Sequence, residues 1–235
     1  MKPFTRFAPL VALVFATGCA STSVTARPTE LGREKIARPD RIIVHDFAAS
    51  PADLPSWSAA ASKYAGTGTT QTAEQLETGR KLGAEIAEQL VAEIQGMGMT
   101  AVRAGGQPPP RVGDIAIIGY FGSVQEGSTA ERLVLGFGAG GASLKTAAEG
   151  YLMTEEGMRQ LGSGEVDAGT SKGPGLIVPL VVTAATANPI GLIVSGAVKA
   201  EGEVSGRDTI EGAAQRTAKQ IADHLRGRFE EQGWI

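Results

Sequence analysis

The chain has 235 residues and a single cysteine, Cys19, so no disulfide within it can staple the fold. Its two histidines, His45 and His224, are far apart in sequence, with no His-x-x-x-His pair and no cysteine cluster. A metal site therefore lacks its usual donors, and the G-x-S-x-G turn that presents a nucleophilic serine is also missing. Basic residues form no run long enough to track a phosphate backbone, and the formal net charge is −3, so nucleic acid is not an expected partner. Aromatic residues make up only 5% of the chain, which leaves the core to aliphatic and small side chains. Glycine, by contrast, is plentiful, with 32 residues. That abundance points to tight turns and closely packed elements.

Long apolar runs are scarce too. The first, Phe7 to Ala16, is too short to span a bilayer. It comes after Lys2 and Arg6 and leads into "ATGC", the pattern of an export signal ending at Cys19. These residues resemble a bacterial lipobox, with Ala16 where leucine is commonest. The resemblance implies cleavage before Cys19, acylation of its thiol and new amine, and stable membrane anchoring. Ala20 and Ser21 come next, with no aspartate, which by the same resemblance implies the outer membrane, with the body facing the periplasm. Residues 1–18 are thus read as a signal peptide and the polar 19–40 stretch as a tether. Residues 41–235 are long enough for one domain with its own core.

Within that domain, "RIIVHDFAA" (41–49) predicts a first strand and 50–72 a long excursion carrying Trp57 and Tyr64. Thr72 and Gln75 form a capping-box signature for a helix over 73–95. Its inward face would be Leu76, Gly79, Gly83, Ile86, Leu90 and Ile94. The two glycines are tolerable there if another backbone packs close. Strands are expected at 99–104, 114–124, 132–138, 143–153 and 158–168, the second of these in the sheet centre and the last two joined as a hairpin at Gly157. A final helix runs from Ser205 and Asp208 to about Gln232, with Ile210, Ala214, Ile221, Leu225 and Phe229 inward. The expected class is α/β (α+β): a mixed sheet of five or six strands packed by two long helices. To it is added an apolar, hairpin-like insertion at 173–198, a stretch without charge that Pro179, Asn188 and Pro189 interrupt.

The residues "RLVLGFGAGGASLKT" (132–146) raise a nucleotide question, because Gly136, Gly138 and Gly141 satisfy G-x-G-x-x-G. A dinucleotide site needs a helix opening directly after such glycines. The next residues alternate Leu144, Thr146 and Ala148 against Lys145, Ala147 and Glu149, which suits a strand at least as well. The P-loop pattern fails at Ala139 and Leu144. The glycines read as a strand corner, with cofactor binding at these three positions as the alternative and no cofactor as the leading expectation.

The block "IIGYFGSVQEGSTAERLVLGFGAGGASL", with "VHDF" in the first strand and the closing "RFEEQGWI", resembles a family of bacterial lipoproteins defined by a domain of unknown function numbered forty-four ten. The resemblance covers residues 40 to 235 and rests most on Arg132 to Gly140 and on Gly233-Trp234. It implies an exported, outer-membrane-associated α/β domain with no established catalysis. The order of elements is also similar, more distantly, to envelope-assembly lipoproteins of the periplasm.

His45 and Asp46 are the best polar pair, but neighbours on a strand point to opposite faces, so a structural role is expected of them. His224 sits beside Asp223, Arg226 and Arg228 on what reads as a solvated face. No catalytic set emerges, and the expectation is a non-enzymatic, outer-membrane-anchored lipoprotein of the cell envelope with a binding or assembly role. The membrane would be engaged through lipid on Cys19. The 173–198 stretch would be buried in the core, dock a second copy or an envelope protein, or enter the membrane. The alternative is a periplasmic protein binding a nucleotide through 136–141, or a small ligand along the 50–72 loop with Trp57 and Tyr64.

Overall fold

The computed structural model describes residues 34–65, 71–125, 143–168, 177–178 and 210–235. Among these residues six strands form one mixed sheet: β1 (Ile42–Val44), β2 (Ala101–Arg103), β3 (Ile115–Gln125), β4 (Ser143–Thr154), β5 (Gly157–Asp167) and β6 (Ile177–Val178). Their order across the sheet is β2-β1-β3-β4-β5-β6. β1 is parallel to both β2 and β3, and the remainder is an antiparallel meander. The helices among the described residues are α1 (Ala59–Tyr64), α2 (Ala73–Gly96) and α3 (Ile210–Gln232). This is the α+β class expected, with two long helices and one short one.

α2 begins where its capping box places it. Thr72 Oγ1 accepts from the Gln75 amide at 3.2 Å, and Gln75 Oε1 accepts from the Thr72 amide at 2.9 Å. Its buried face holds Gly79, Gly83, Ile86, Leu90 and Ile94, as the spacing predicts. Leu82 and Ala87 join them and Leu76 is only half-buried, because the stripe must meet both the sheet and α3 and is correspondingly wide. α2 and α3 lie side by side over the same face of the sheet, above Ile42, Val44, Ile115, Ile117, Phe121, Leu144 and Val166. Ala213, Ala214, Thr217, Ala218 and Ala222 line the inner side of α3, so small residues let the two helices approach.

Phe47 joins these layers. A Cβ at Gly83 would collide with the Phe47 backbone carbonyl, and a Cβ at Gly119 in β3 would collide with the Phe47 ring. The Phe47 amide donates to the Gly83 carbonyl at 3.2 Å. The close backbone expected opposite the helix glycines is, at Gly83, the chain just after β1. That chain is bulged: Val44 pairs with Ile117 and Ala48 with Tyr120, four residues of advance against three. The extra residue ends β1 at Val44 rather than Ala49. It also sends Phe47 into the core under the helices and Ala48 into the cluster on the opposite face.

The β4–β5 hairpin turns at Glu155 and Glu156, with Gly157 at φ 120, as expected. From β2 the chain must recross β1 to reach β3, and it does so through the proline-stiffened residues 104–113. The Arg41–Asp114 ion pair, 2.6 Å long and largely shielded from solvent, anchors that segment, and Arg41 also donates to the Pro109 carbonyl.

Residues 19–40 are expected as a tether, and those up to 33 lie outside the described residues. Glu34–Asp40 is docked: the Ile36 amide donates to Gln232 Oε1 at 3.0 Å, and Gln232 Nε2 donates to the Glu34 carbonyl. The Trp234 indole donates to the Ile36 carbonyl at 3.2 Å, and Glu34 pairs with Arg159 of β5. α3 ends in a Schellman turn, with Gly233 at φ 78, its amide on the Glu230 carbonyl and the Trp234 amide on the Phe229 carbonyl. The Phe229 and Trp234 rings then pack at 5.3 Å. A lone Ile36 in a polar stretch shows no periodicity, which is why this docking is not visible in the sequence.

Gly83→Ala should lower unfolding free energy by about 1–3 kcal/mol, since backbone rather than a flexible side chain must yield. Gly96→Ala, with open space around it, should leave stability unchanged or raise it. Urea unfolding monitored by circular dichroism measures both.

Candidate functional site

The sheet face away from α2 and α3 is covered by residues 48–64. Over it lie a short 3-10 turn, Pro51–Asp53, and α1, packed on Ile118, Tyr120, Ala147 and Tyr151. Ser58 caps α1, its Oγ accepting from the Ala61 amide at 3.0 Å. The next amide, Ala59, donates to the Tyr151 hydroxyl at 2.8 Å, and that hydroxyl donates to Glu149 Oε2 at 2.6 Å. The backbone of Ala60 hydrogen-bonds Glu149 as well. Tyr64, further along α1, packs edge-on against Tyr120 at 5.6 Å.

Glu149 is 4% exposed, a carboxyl beneath a helix start. Burial pushes its pKa up, and the Tyr151 hydroxyl, the Ala60 backbone and the charge of Lys63 only partly offset that. Burial likewise raises Tyr120 and Tyr151, so both phenols stay protonated donors. The group is saturated with partners, and its chemistry is that of a fastener holding α1 to the sheet. In the sequence Glu149 and Tyr151 read as ordinary strand residues. Their only signal is an acid set between Ala148 and Gly150 in a strand otherwise poor in charge.

A second group sits at the C-terminal end of β1. His45 is half-buried with its ring 5.8 Å from Trp57, edge to face, and Trp57 in turn meets Tyr151 at 5.0 Å. Asp46 turns the other way and pairs with Arg103 of β2 at 2.6 Å. The two neighbours diverge, as strand geometry requires. Burial lowers the His45 pKa, and the nearby Asp46 charge opposes that shift. Trp57 and Tyr64, grouped in the sequence as a lining of one loop, are both drawn onto the sheet but against different partners.

His224 is corrected by the structure. It is half-buried on α3 rather than on a solvated face, and burial, then Arg228, lowers its pKa against the pull of Glu231. Cys19, Gly136, Gly138, Gly141 and the 132–138 strand lie outside the described residues, as does all of 173–198 except Ile177 and Val178. These two pair with Val166 and Glu165 and form β6. Strand β4 starts at Ser143, so no helix N-terminus opens directly after the three glycines. Among the described residues, no group of three or more His, Cys, Asp and Glu is placed to hold a metal ion.

Glu149→Gln tests the carboxyl. A raised carboxyl pKa stabilises the fold while the group stays protonated and loses that advantage as pH rises from the ordinary glutamate value through the raised one. The variant should match the parent near pH 4 and become the more stable of the two above that window, by urea midpoints across pH.

No curated protein matches the chain. A family model described as "Domain of unknown function (DUF4410)" matches residues 42–187, from the first residue of β1 to beyond β6. The match stops short of α3, so the Gly233-Trp234 pair belongs to this chain's own closure and not to the matched segment. With more than half of its length covered, the chain belongs to the DUF4410 domain family.

Proposed function

We propose that the chain is an outer-membrane-anchored lipoprotein of the cell envelope, facing the periplasm, with a binding or assembly role and no catalysis. The observation that carries this reading is the leader: Lys2 and Arg6, the apolar run Phe7 to Ala16, then "ATGC" with the chain's single cysteine. The docking of Glu34–Asp40 agrees with it, because about fifteen residues remain between Cys19 and the body, a span of up to roughly 50 Å. Among the described residues no helix is long and apolar enough to cross a membrane, so an acyl anchor would supply the attachment.

The polar side chains favour binding over chemistry. Glu149 is taken up by Tyr151 and Ala60, and Asp46 by Arg103, which leaves no base beside a nucleophile in either group. The geometry also separates two ends. The lead at Glu34 reaches the fold beside the β4–β5 turn. Gln125, Ser143, Val166 and Ile177 lie together at the opposite end of the sheet. Of the apolar 173–198 stretch, Ile177 and Val178 lie at the end of the sheet away from Glu34; in this reading the stretch meets a second copy or an envelope partner.

Mass spectrometry of protein from the native envelope should find the chain cut before Cys19 and acylated there, and Cys19→Ser should release it from membranes. A retained leader or a bare thiol on a freely diffusing chain overturns the anchor. Light scattering on the acyl-free body, with and without residues 181–198, tests assembly while sparing β6. A drop in oligomer mass on deletion is expected, and equal masses overturn the assembly role.

A further inference from the structure

Residues 50–64 cross the sheet face away from the two long helices, and little apolar packing holds them there. Leu54 is the one large apolar side chain among them that is buried, while Trp57 is exposed and Tyr64 half-buried. Several of their bonds are internal and travel with them: Ser58 caps α1, and Asp53 accepts from the Ser50 amide and hydroxyl. The Asp53–Arg80 pair to α2 is exposed, and such pairs add little. The bonds to the sheet converge on neighbouring side chains: the Ala59 amide donates to the Tyr151 hydroxyl, the Ala60 backbone bonds Glu149, and the Tyr64 side chain bonds that of Tyr120. The chain on either side is fixed independently. The Ala48 amide donates to the Gly119 carbonyl at 2.8 Å, and Gln71 Nε2 donates to the Ala49 carbonyl at 3.2 Å. A segment with few buried apolar contacts, flanked by such clips, belongs to the low end of local stability within a fold.

Beneath this segment lies the Glu149 carboxyl, cut off from water while the segment is in place. Its ionised form is disfavoured there, because burial outweighs the help of the Tyr151 hydroxyl, the Ala60 backbone and the Lys63 charge. Lifting the segment returns water to the carboxylate. We propose that residues 50–64 are a strap that lifts from the sheet as one unit while the rest of the fold holds, and that Glu149 beneath it is the releasing group. The closed strap holds the Glu149 pKa above its ordinary value, so rising pH through that window shifts the balance towards the open form. Other titrating groups around the strap do not mimic this. Burial raises Tyr120 and Tyr151, which stay protonated. His45, against Trp57, acts with the opposite sign: burial lowers its pKa, so the closed form gains as pH rises. Tyr64 and Glu165 stand beside Tyr120, and Lys63 near Glu149; comparison with Glu149→Gln subtracts all three. Lifting the strap uncovers Ile118, Tyr120 and Ala147, so pH controls access to an apolar sheet face. The device is independent of the anchor at Cys19 and of the 173–198 stretch.

Amide hydrogen exchange on the full chain in detergent, between about pH 5 and 8 and corrected for intrinsic rates, compares residues 59–64 of the strap with residues 86–94 of α2. Strap amides are expected to open at least roughly tenfold more often than those of α2. Their opening should grow as pH rises, by up to roughly tenfold per pH unit, the limit for one proton. Glu149→Gln should abolish that growth. Tyr151→Phe should raise strap opening about fivefold at the acid end of the range, by deleting the hydroxyl that receives the Ala59 amide. One shared opening constant for the strap and α2 overturns the strap as a separate unit. Growth with pH that survives Glu149→Gln overturns Glu149 as its release, and strap exchange unchanged by Tyr151→Phe overturns the fastening through β4.

Discussion

The rest of the structure depends on how closely α2 lies on the chain leaving β1. At Gly83 the helix backbone touches the Phe47 backbone, and on the other side of Phe47 its ring lies against Gly119. Two absent side chains thus admit one large one. Any Cβ at either glycine would lift the helix or expel the ring, and with it the register that α2 imposes on α3. β1 pairs through only three residues with each neighbour, and this contact adds to that short parallel ladder.

The same contact explains the contrast between the sheet's two faces. Under the helices the packing is apolar, with Phe121, Leu144, Ile86 and Leu90 fully buried. On the opposite face the covering segment is short and rich in small residues, and a six-residue helix cannot hold itself in place. Glu149 and Tyr151 supply what packing cannot: directed bonds from the sheet to the first amides of α1. A carboxyl is buried there at a cost in stability above its ordinary titration range, in exchange for a fixed position of the loop that carries Trp57.

Much of this architecture is legible in the sequence where a local signal exists. Thr72 and Gln75 mark the start of α2 because a cap is a contact between near neighbours, and Glu155-Glu156-Gly157 marks the hairpin for the same reason. The stepping of Gly79, Gly83, Ile86, Leu90 and Ile94 gives the helix face correctly, and the glycines announce a close neighbour without naming it. The illegible parts depend on residues far apart in sequence. The shortened β1 results from a bulge set against β3. The docking of Ile36 depends on Gln232 and Trp234, nearly two hundred positions away. His45 and Trp57 are recognisable individually, but their contact joins residues on either side of the turn at Pro51, and Asp46 goes to Arg103 instead.

The junction between the amino-terminal lead and the end of α3 has a mechanical consequence. Tension applied at residue 34 is taken up first by Arg159 in β5 and by Gln232 and Trp234 at the end of the helix, before any load reaches Ile42. The three-residue strand at the head of the sheet is thereby shielded from pulling, and the strain is shared between the β4–β5 hairpin and the α2–α3 pair.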